Sequence, residues 1–283
     1  MPILTELNLY PIKSCAGIAL REATVTPFGL MSGRIYDREW MVVDHAGNFL
    51  TQREIPQMAC IRPHLKIDLL EVTAPGMATL EIPLNLPDPN HAATLHVRVW
   101  DHALLALDCG ENIAAWFTQA LGVPCRLARF HPQVQRLINN EWTGGRDIQT
   151  HFADGYPMLL ISEASLADLN QKLHAQARPA LPMNRFRPSL VIAGVEAFEE
   201  DYAAVLQIGE VQLQPIKPCP RCPIPAIDQA TGISGPDPLD ILQSYRANPK
   251  VDGGITFGMN VILLEGENHV LEVGQEVEVE LAF

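Results

Sequence analysis

The sequence predicts an α+β protein rich in barrel-like sheet, and two observations carry that reading. Up to about residue 110, short runs of alternating polarity are punctuated by Gly, Pro and Asn, the pattern of a meander that curls into a barrel or sandwich. Beyond that point, helical patterns alternate with short apolar runs, as expected where helices pack on a sheet.

The elements follow in order. Residues 4–13 (LTELNLYPIK) alternate, and 17–30 (GIALREATVTPFGL) have a similar look. Residues 37–54 read as two strands joined by a turn from Asp44 to Asn48, with Gly47 supplying the permissive backbone. Strands continue through 64–75, 78–84 and 93–110. The first convincing helix is 111–122, where Ile113, Trp116, Phe117 and Leu121 share a face and Gly122 fits the stop. Residues 130–154 are polar and irregular around NNEWTGGRD, a loop long enough to suggest a working role. A second helix begins after Ser162, a good N-cap, with Leu166, Leu169 and Leu173 on one side. SLVIAG (189–194) reads as a buried strand, 204–217 as a hairpin about Gly209 and Glu210, and 239–247 as a short helix. Residues 259–266 and 275–283 are closing strands.

A chain of 283 residues fits one large domain or two closely packed ones. With 47% hydrophobic and 19% charged residues, disorder is excluded. The net charge of −13 repels phosphodiester backbones, which argues against nucleic acid as a partner. No apolar run reaches the ~20 residues of a membrane helix, and the N-terminus lacks a signal-peptide pattern. Six scattered cysteines then suggest reduced thiols and a cytoplasmic location. The nine histidines show no zinc-ligand spacing, and neither a GxGxxG nor a GxSxG motif occurs. Trp40, Trp100 and Trp116 read as core residues, and Trp142 as a candidate border of a substrate entrance.

The most unusual stretch is KPCPRCPIPA (217–226). Its prolines cannot continue a helix or a central strand, so it reads as a stiff loop that fixes Cys219 and Cys222. Lys217 and Arg221 flank the pair, and nearby cations favour the thiolate that binds metal. A structural zinc site needs four ligands, and one CxxC supplies two. A thioredoxin-like pair prefers a helix start, and Pro223 and Pro225 oppose one. A single thiolate ligand to a soft metal remains, and spacing alone does not separate it from a purely structural loop.

Nine segments in fixed order sharpen this. LYPIKSC, GLMSGRIYDREWMVV, TQRE, DCGE, FADGYPMLLISEASLADLN, RFRPSLVIAG, KPCPRC, DQATG and FGMN together span almost the whole chain. The chain resembles MOSC-domain proteins, specifically bacterial N-hydroxylated-compound reductases and mitochondrial amidoxime-reducing components. The resemblance implies a β-barrel-like N-terminal MOSC subdomain, residues 1–125, packed on a C-terminal MOSC domain, residues 126–283. It implies a molybdenum cofactor whose metal is ligated by Cys222, with Cys219, Pro220 and Arg221 shaping the loop. It assigns cofactor contacts to Lys13, Ser14, Arg38, Asp154, Gly155, Tyr156, Arg187 and Asn260, and a supporting place to Arg53. Without the resemblance, the basic residues among them read as solvated surface ions, and Asp154 to Tyr156 as an ordinary turn.

The implied activity is two-electron reduction of N-hydroxylated small molecules: amidoximes, hydroxylamines or hydroxylated bases. No cysteine follows Cys222, so an iron–sulfur cluster beyond it has no ligands. The expected electron source is a separate ferredoxin-type or cytochrome b5-type protein with its reductase. A monomer, no membrane and no pyridoxal phosphate complete the expectation. The alternative is a cofactor carrier or sulfur-handling MOSC module without reductase activity.

Overall fold

The computed structural model describes residues 1–85 and 92–282. Its largest sheet has nine strands. The path runs Ile18–Leu20, Ile3–Leu9, Leu190–Ala193, Met158–Ser162, Gly254–Glu265, Val211–Pro220, Ala203–Ile208 and Glu278–Leu281, with Ala247–Asn248 paired to the side. A four-stranded sheet joins Thr94–Val99, His102–Asp108, Arg126–Phe130 and Trp40–Val43. A second joins Val270–Glu272, Glu22–Thr26, Gly29–Ser32 and Ile35–Tyr36. A three-stranded meander spans Arg62–Leu65, Leu69–Thr73 and Leu80–Pro83. The molecule is therefore the strand-rich α+β protein that the alternation predicts.

The three α-helices lie where periodicity places them, at Glu111–Leu121, Glu163–Ala175 and Leu239–Arg246. The first buries Ile113, Trp116, Phe117 and Leu121 and ends on Gly122, whose φ of +70° lets its N–H close on the Thr118 carbonyl. Ser162 caps the second, its hydroxyl accepting from the Ser165 N–H at 3.1 Å. Leu169 and Leu173 of that helix pack with Phe186, Phe257, Ile241 and Leu242, and Leu166 packs against the group. Each such leucine contributes about 1.5–3 kcal/mol of burial.

Three expectations need correction, and one residue of a fourth lies outside the described residues. The second arm of the 37–54 hairpin shrinks to a single bridge between Val43 and Phe49, because the chain turns away at Thr51 toward the 3₁₀ segment Pro56–Cys60. Trp100 is not core: it occupies the two-residue turn between Thr94–Val99 and His102–Asp108 with φ +53°, and it is 45% exposed. Phe283, the last residue of the final predicted strand, lies outside the described residues; the strand itself spans Glu278–Leu281.

The third correction concerns Lys217–Pro220, which is not a loop but the end of the Val211–Pro220 strand, paired to Gly254–Glu265. Two features admit its prolines. The ladder breaks register between Pro215 and Lys217 and between Pro218 and Pro220, and bulges leave residues out of the hydrogen-bond count. On the other side, only Val211–Leu213 pairs with Ala203–Ile208, so the proline stretch has a free edge, where a missing N–H costs little.

Candidate functional site

The chain's path beyond Ile3–Leu9 sets one wall of a cleft. Residues 10–13 run beside 38–40: the Arg38 N–H donates to the Tyr10 carbonyl at 2.7 Å and the Lys13 N–H to the Trp40 carbonyl at 2.8 Å. That pairing brings Lys13, Ser14 and Arg38 together. The segment 151–156 forms the next wall. Phe152 is fully buried in the core of the Trp40–Val43 sheet, and its N–H donates to the Arg38 carbonyl at 3.0 Å. Arg187 arrives just before Leu190–Ala193, and Asn260 from the middle of Gly254–Glu265. The end of Val211–Pro220 and the following Arg221–Cys222 supply the last wall.

Cys222 and all of the cofactor-contact candidates, from Lys13 to Asn260, line this one cleft, of about 170 Å³. Arg53 does not; its guanidinium stacks 5.0 Å from the Trp100 ring. Ser14, Arg38 and Arg187 adopt φ of +64°, +49° and +58°. Such backbone costs about 1–3 kcal/mol per residue and tends to gather at functional sites.

Charge in the cleft is locally reversed relative to the acidic chain. Lys13, Arg38, Arg187 and Arg221 line it. Lys13 pairs with Asp154 at 2.6 Å and Arg38 with the buried Asp37. Among the described residues, Arg187 and Arg221 meet no carboxylate. Arg187 donates to the Gln229 side chain at 3.4 Å, and Arg221 to the Phe186 carbonyl at 2.7 Å and the Cys219 sulfur at 3.4 Å. The Arg221 Nε is buried without a partner. Burial pulls the Lys13 ammonium below its ordinary value, with Asp154 opposing, and burial likewise lowers Arg187. Both Arg38 and Arg187 lie over the Tyr10 ring, at 4.4 and 4.3 Å, a favourable use of the ring's quadrupole.

Carbonyl capture organises the 151–154 segment. Arg136, 3% exposed, donates to the carbonyls of His151, Ala153 and Asp154 at 2.8, 2.6 and 3.1 Å. Lys13 takes the remaining one, Phe152, at 2.9 Å. The N–H groups of Asp154, Gly155 and Tyr156 have no protein acceptor among the described residues, and the space where a Gly155 Cβ would stand is open. Three donors and an open approach suit a polar ligand.

Six free cysteines are present. Burial pushes the Cys15 and Cys109 thiols up to about 12, which makes them inert. Cys219 and Cys222 are half-buried at the cleft. Cys219 is no buried hydrophobe; its sulfur accepts from Arg221. No α-helix starts at the pair, since only the 3₁₀ turn Ile224–Ala226 follows. Among the described residues, no three His, Cys, Asp or Glu side chains converge as metal ligands. A metal held at this cleft would therefore need donors beyond those the described side chains supply. An anionic, sulfur-bearing organic cofactor fits this donor set: one thiol, unneutralised guanidinium groups and free amides.

The sequence reading missed Arg136, Tyr10 and a pair of glutamines. Gln52 is fully buried; its Nε2 donates to the Ser14 carbonyl at 2.7 Å and to Gln229 Oε1 at 3.1 Å. Gln229 Nε2 returns a bond to Gln52 Oε1 at 2.9 Å. TQRE and DQATG, quoted as motifs, carry these two residues, so the motif positions held the signal while the roles did not show.

Comparison with known proteins places the chain. The MOSC N-terminal beta barrel domain matches residues 1–124, and the MOSC domain matches 147–278. Mitochondrial amidoxime reducing component 2 of Bos taurus is 38% identical over 248 residues, covering 86% of this chain and 72% of that protein. Human mitochondrial amidoxime-reducing component 1 is 36% identical with the same coverage. The Danio rerio component 1 is 30% identical over 281 residues, covering 97% and 84%. The chain belongs to the MOSC family and is a homologue of the mitochondrial amidoxime-reducing components.

Proposed function

We propose that the chain is an oxidoreductase that reduces N-hydroxylated compounds with a molybdenum cofactor anchored at Cys222. The observation that carries this reading is the convergence of Cys222 with unneutralised arginines and free backbone amides in one cleft. Relatives named for amidoxime reduction give the substrate class: amidoximes first, hydroxylamines and hydroxylated bases by the same N–OH chemistry. Cytochrome b5-type or ferredoxin-type proteins are the proposed electron donors, and the cytoplasm the proposed compartment. Among the described residues no helix is long and apolar enough to cross a membrane.

In this reading, Cys222 ligates the metal, and the bulged strand end at Pro218 and Pro220 fixes the direction of its sulfur. Lys13, Arg38 and Arg187 hold the anionic end of the cofactor, with Ser14 beside them. The amides of Asp154, Gly155 and Tyr156, with Asn260, orient its polar ring. The cleft shares Arg187 with a neighbouring cavity of about 350 Å³, so that guanidinium borders both spaces. When bound, the cofactor supplies the two-electron chemistry; the net reaction adds two electrons and two protons to an N–OH group and yields N–H and water.

The test is Cys222→Ala, assayed for benzamidoxime reduction with a chemical or protein donor. Activity should vanish while thermal unfolding stays close to wild type, because one sulfur is removed at a partly open strand end. Retained activity in a molybdenum-loaded variant sinks the ligand assignment. Stoichiometric molybdenum that transfers readily, without reductase activity in the wild type, selects the carrier reading instead.

A further inference from the structure

The wall made by Asp154, Gly155 and Tyr156 has two sides. One side faces Cys222. The other lines an adjoining cavity of about 210 Å³. Trp100, Ile138 and Tyr156 give this cavity apolar surface, and Arg136 and Lys217 bring positive charge. We propose that it is the substrate vestibule and that Lys217 is its specificity-determining residue, selecting single-ring N-hydroxylated substrates that carry a carboxylate. The inference rests on the reductase reading of the adjoining cleft.

Position is the first argument. Lys217 and Cys219 belong to one strand, and Cys222 follows it. The Lys217 carbonyl accepts from the Asn260 side chain at 3.2 Å, and Asn260 lines the cleft. The charge at the vestibule and the sulfur in the cleft are thus held by one proline-stiffened piece of backbone.

Availability is the second. Among the described residues, the Lys217 amine makes no hydrogen bond or ion pair; it lies 5.6 Å from the Trp142 ring and 5.8 Å from the Tyr156 ring. Aromatic faces stabilise an ammonium without using its N–H donors. Arg136 adds a second positive charge beside the same cavity, while its terminal N–H groups stay on the His151, Ala153 and Asp154 carbonyls. Two carboxylates also line the space. Asp154 is paired to Lys13, and Asp101 is exposed on the turn beside Trp100.

Size is the third. The volume is below the ~300 Å³ at which drug-sized sites begin, and it suits a single substituted ring. A carboxylate on that ring would gain a charge-assisted bond from Lys217. A cationic substituent would meet two like charges.

The experiment compares benzamidoxime, 4-carboxybenzamidoxime and 4-amidinobenzamidoxime in wild type, Lys217→Met and Lys217→Glu. Two readouts are taken: kcat/KM, and tryptophan fluorescence quenching in the Cys222→Ala background, where no turnover occurs. Wild type should favour the carboxylate over the neutral compound by about tenfold. Lys217→Met should bring that ratio close to one, and Lys217→Glu should reverse it in favour of the amidine. Ratios that stay the same in all three proteins overturn the proposal. If no compound is reduced even by wild type, yet quenching keeps its Lys217-dependent order, the vestibule stands and the reductase reading falls. If quenching shows no such order, the vestibule falls whatever the turnover.

Discussion

His151 is 8% exposed, its ring stacked 4.8 Å from Phe28 and tilted 4.5 Å from Phe130. Burial, with a smaller push from Arg129, lowers its pKa to about 4. The unfolded chain binds that proton near the ordinary pH of about 6.5, so between about 6.5 and 4 the unfolded state holds more protons than the native one. Stability from this residue is complete above about 6.5 and is lost as pH falls through the window. Between pH 7.5 and 5 the loss should be about 2 kcal/mol. His151→Phe keeps an aromatic ring and removes the titration, so urea unfolding of the variant should lose less stability over that interval. An equal loss in both proteins assigns the acid sensitivity elsewhere. No reading of the sequence exposes this histidine. Its neighbours Phe28 and Phe130 are distant along the chain, and a lone His carries no spacing signal. Cys222 and Lys13 were legible for the opposite reason, since each stands inside a short motif whose order along the chain is informative.

Between residues and the whole fold, helices were read well, because a 3.6-residue period and a cap are local facts: Ser162, Leu169 and Leu173 sit as expected. The Val211–Pro220 strand is legible as far as Lys217, but its last three residues read as loop, because their tolerance for proline depends on a neighbour that ends early, which is a property of pairing. The 151–156 segment was legible as a turn but not in what holds it, since Arg136 lies fifteen residues from its first carbonyl partner. Its guanidinium serves three carbonyls from two nitrogens of a planar fork, which the single nitrogen of an ammonium cannot reproduce. Arg136→Lys should therefore cost about 1–3 kcal/mol, the usual penalty for leaving buried polar groups unpaired. Hydrogen exchange should quicken at amides 150–156 more than in the distant helix Glu163–Ala175. Uniformly quicker exchange across both segments would show Arg136 to be a general stability residue without a special hold on the cleft wall.

At the scale of the molecule, the two family matches do not separate cleanly in space. Ile3–Leu9 pairs with Leu190–Ala193, and Val270–Glu272 pairs with Glu22–Thr26, so each half lends strands to the other's sheet. Motif order announces both halves, but pairings between residues more than 170 positions apart have no local signature. Gln52 and Gln229 make the most demanding of these long-range joins. Their side-chain amides exchange bonds at 3.1 and 2.9 Å, and Gln52 also anchors the Ser14 carbonyl at 2.7 Å. Ser14 holds a left-handed backbone at the cleft, so the pair ties the two halves together beside the cleft that Ser14 and Arg187 both line. Replacing either glutamine by methionine keeps the length of the side chain and strands the partner's amide, at a cost of about 1–3 kcal/mol. Replacing both removes the stranded group as well, so the double variant should be more stable than the sum of the two losses allows, by about 1–2 kcal/mol. Urea unfolding of the four proteins measures that coupling. Additive losses would mean that each amide acts only through its other partners, Ser14, Ile227 and Arg187, and that the halves are joined by their exchanged strands alone.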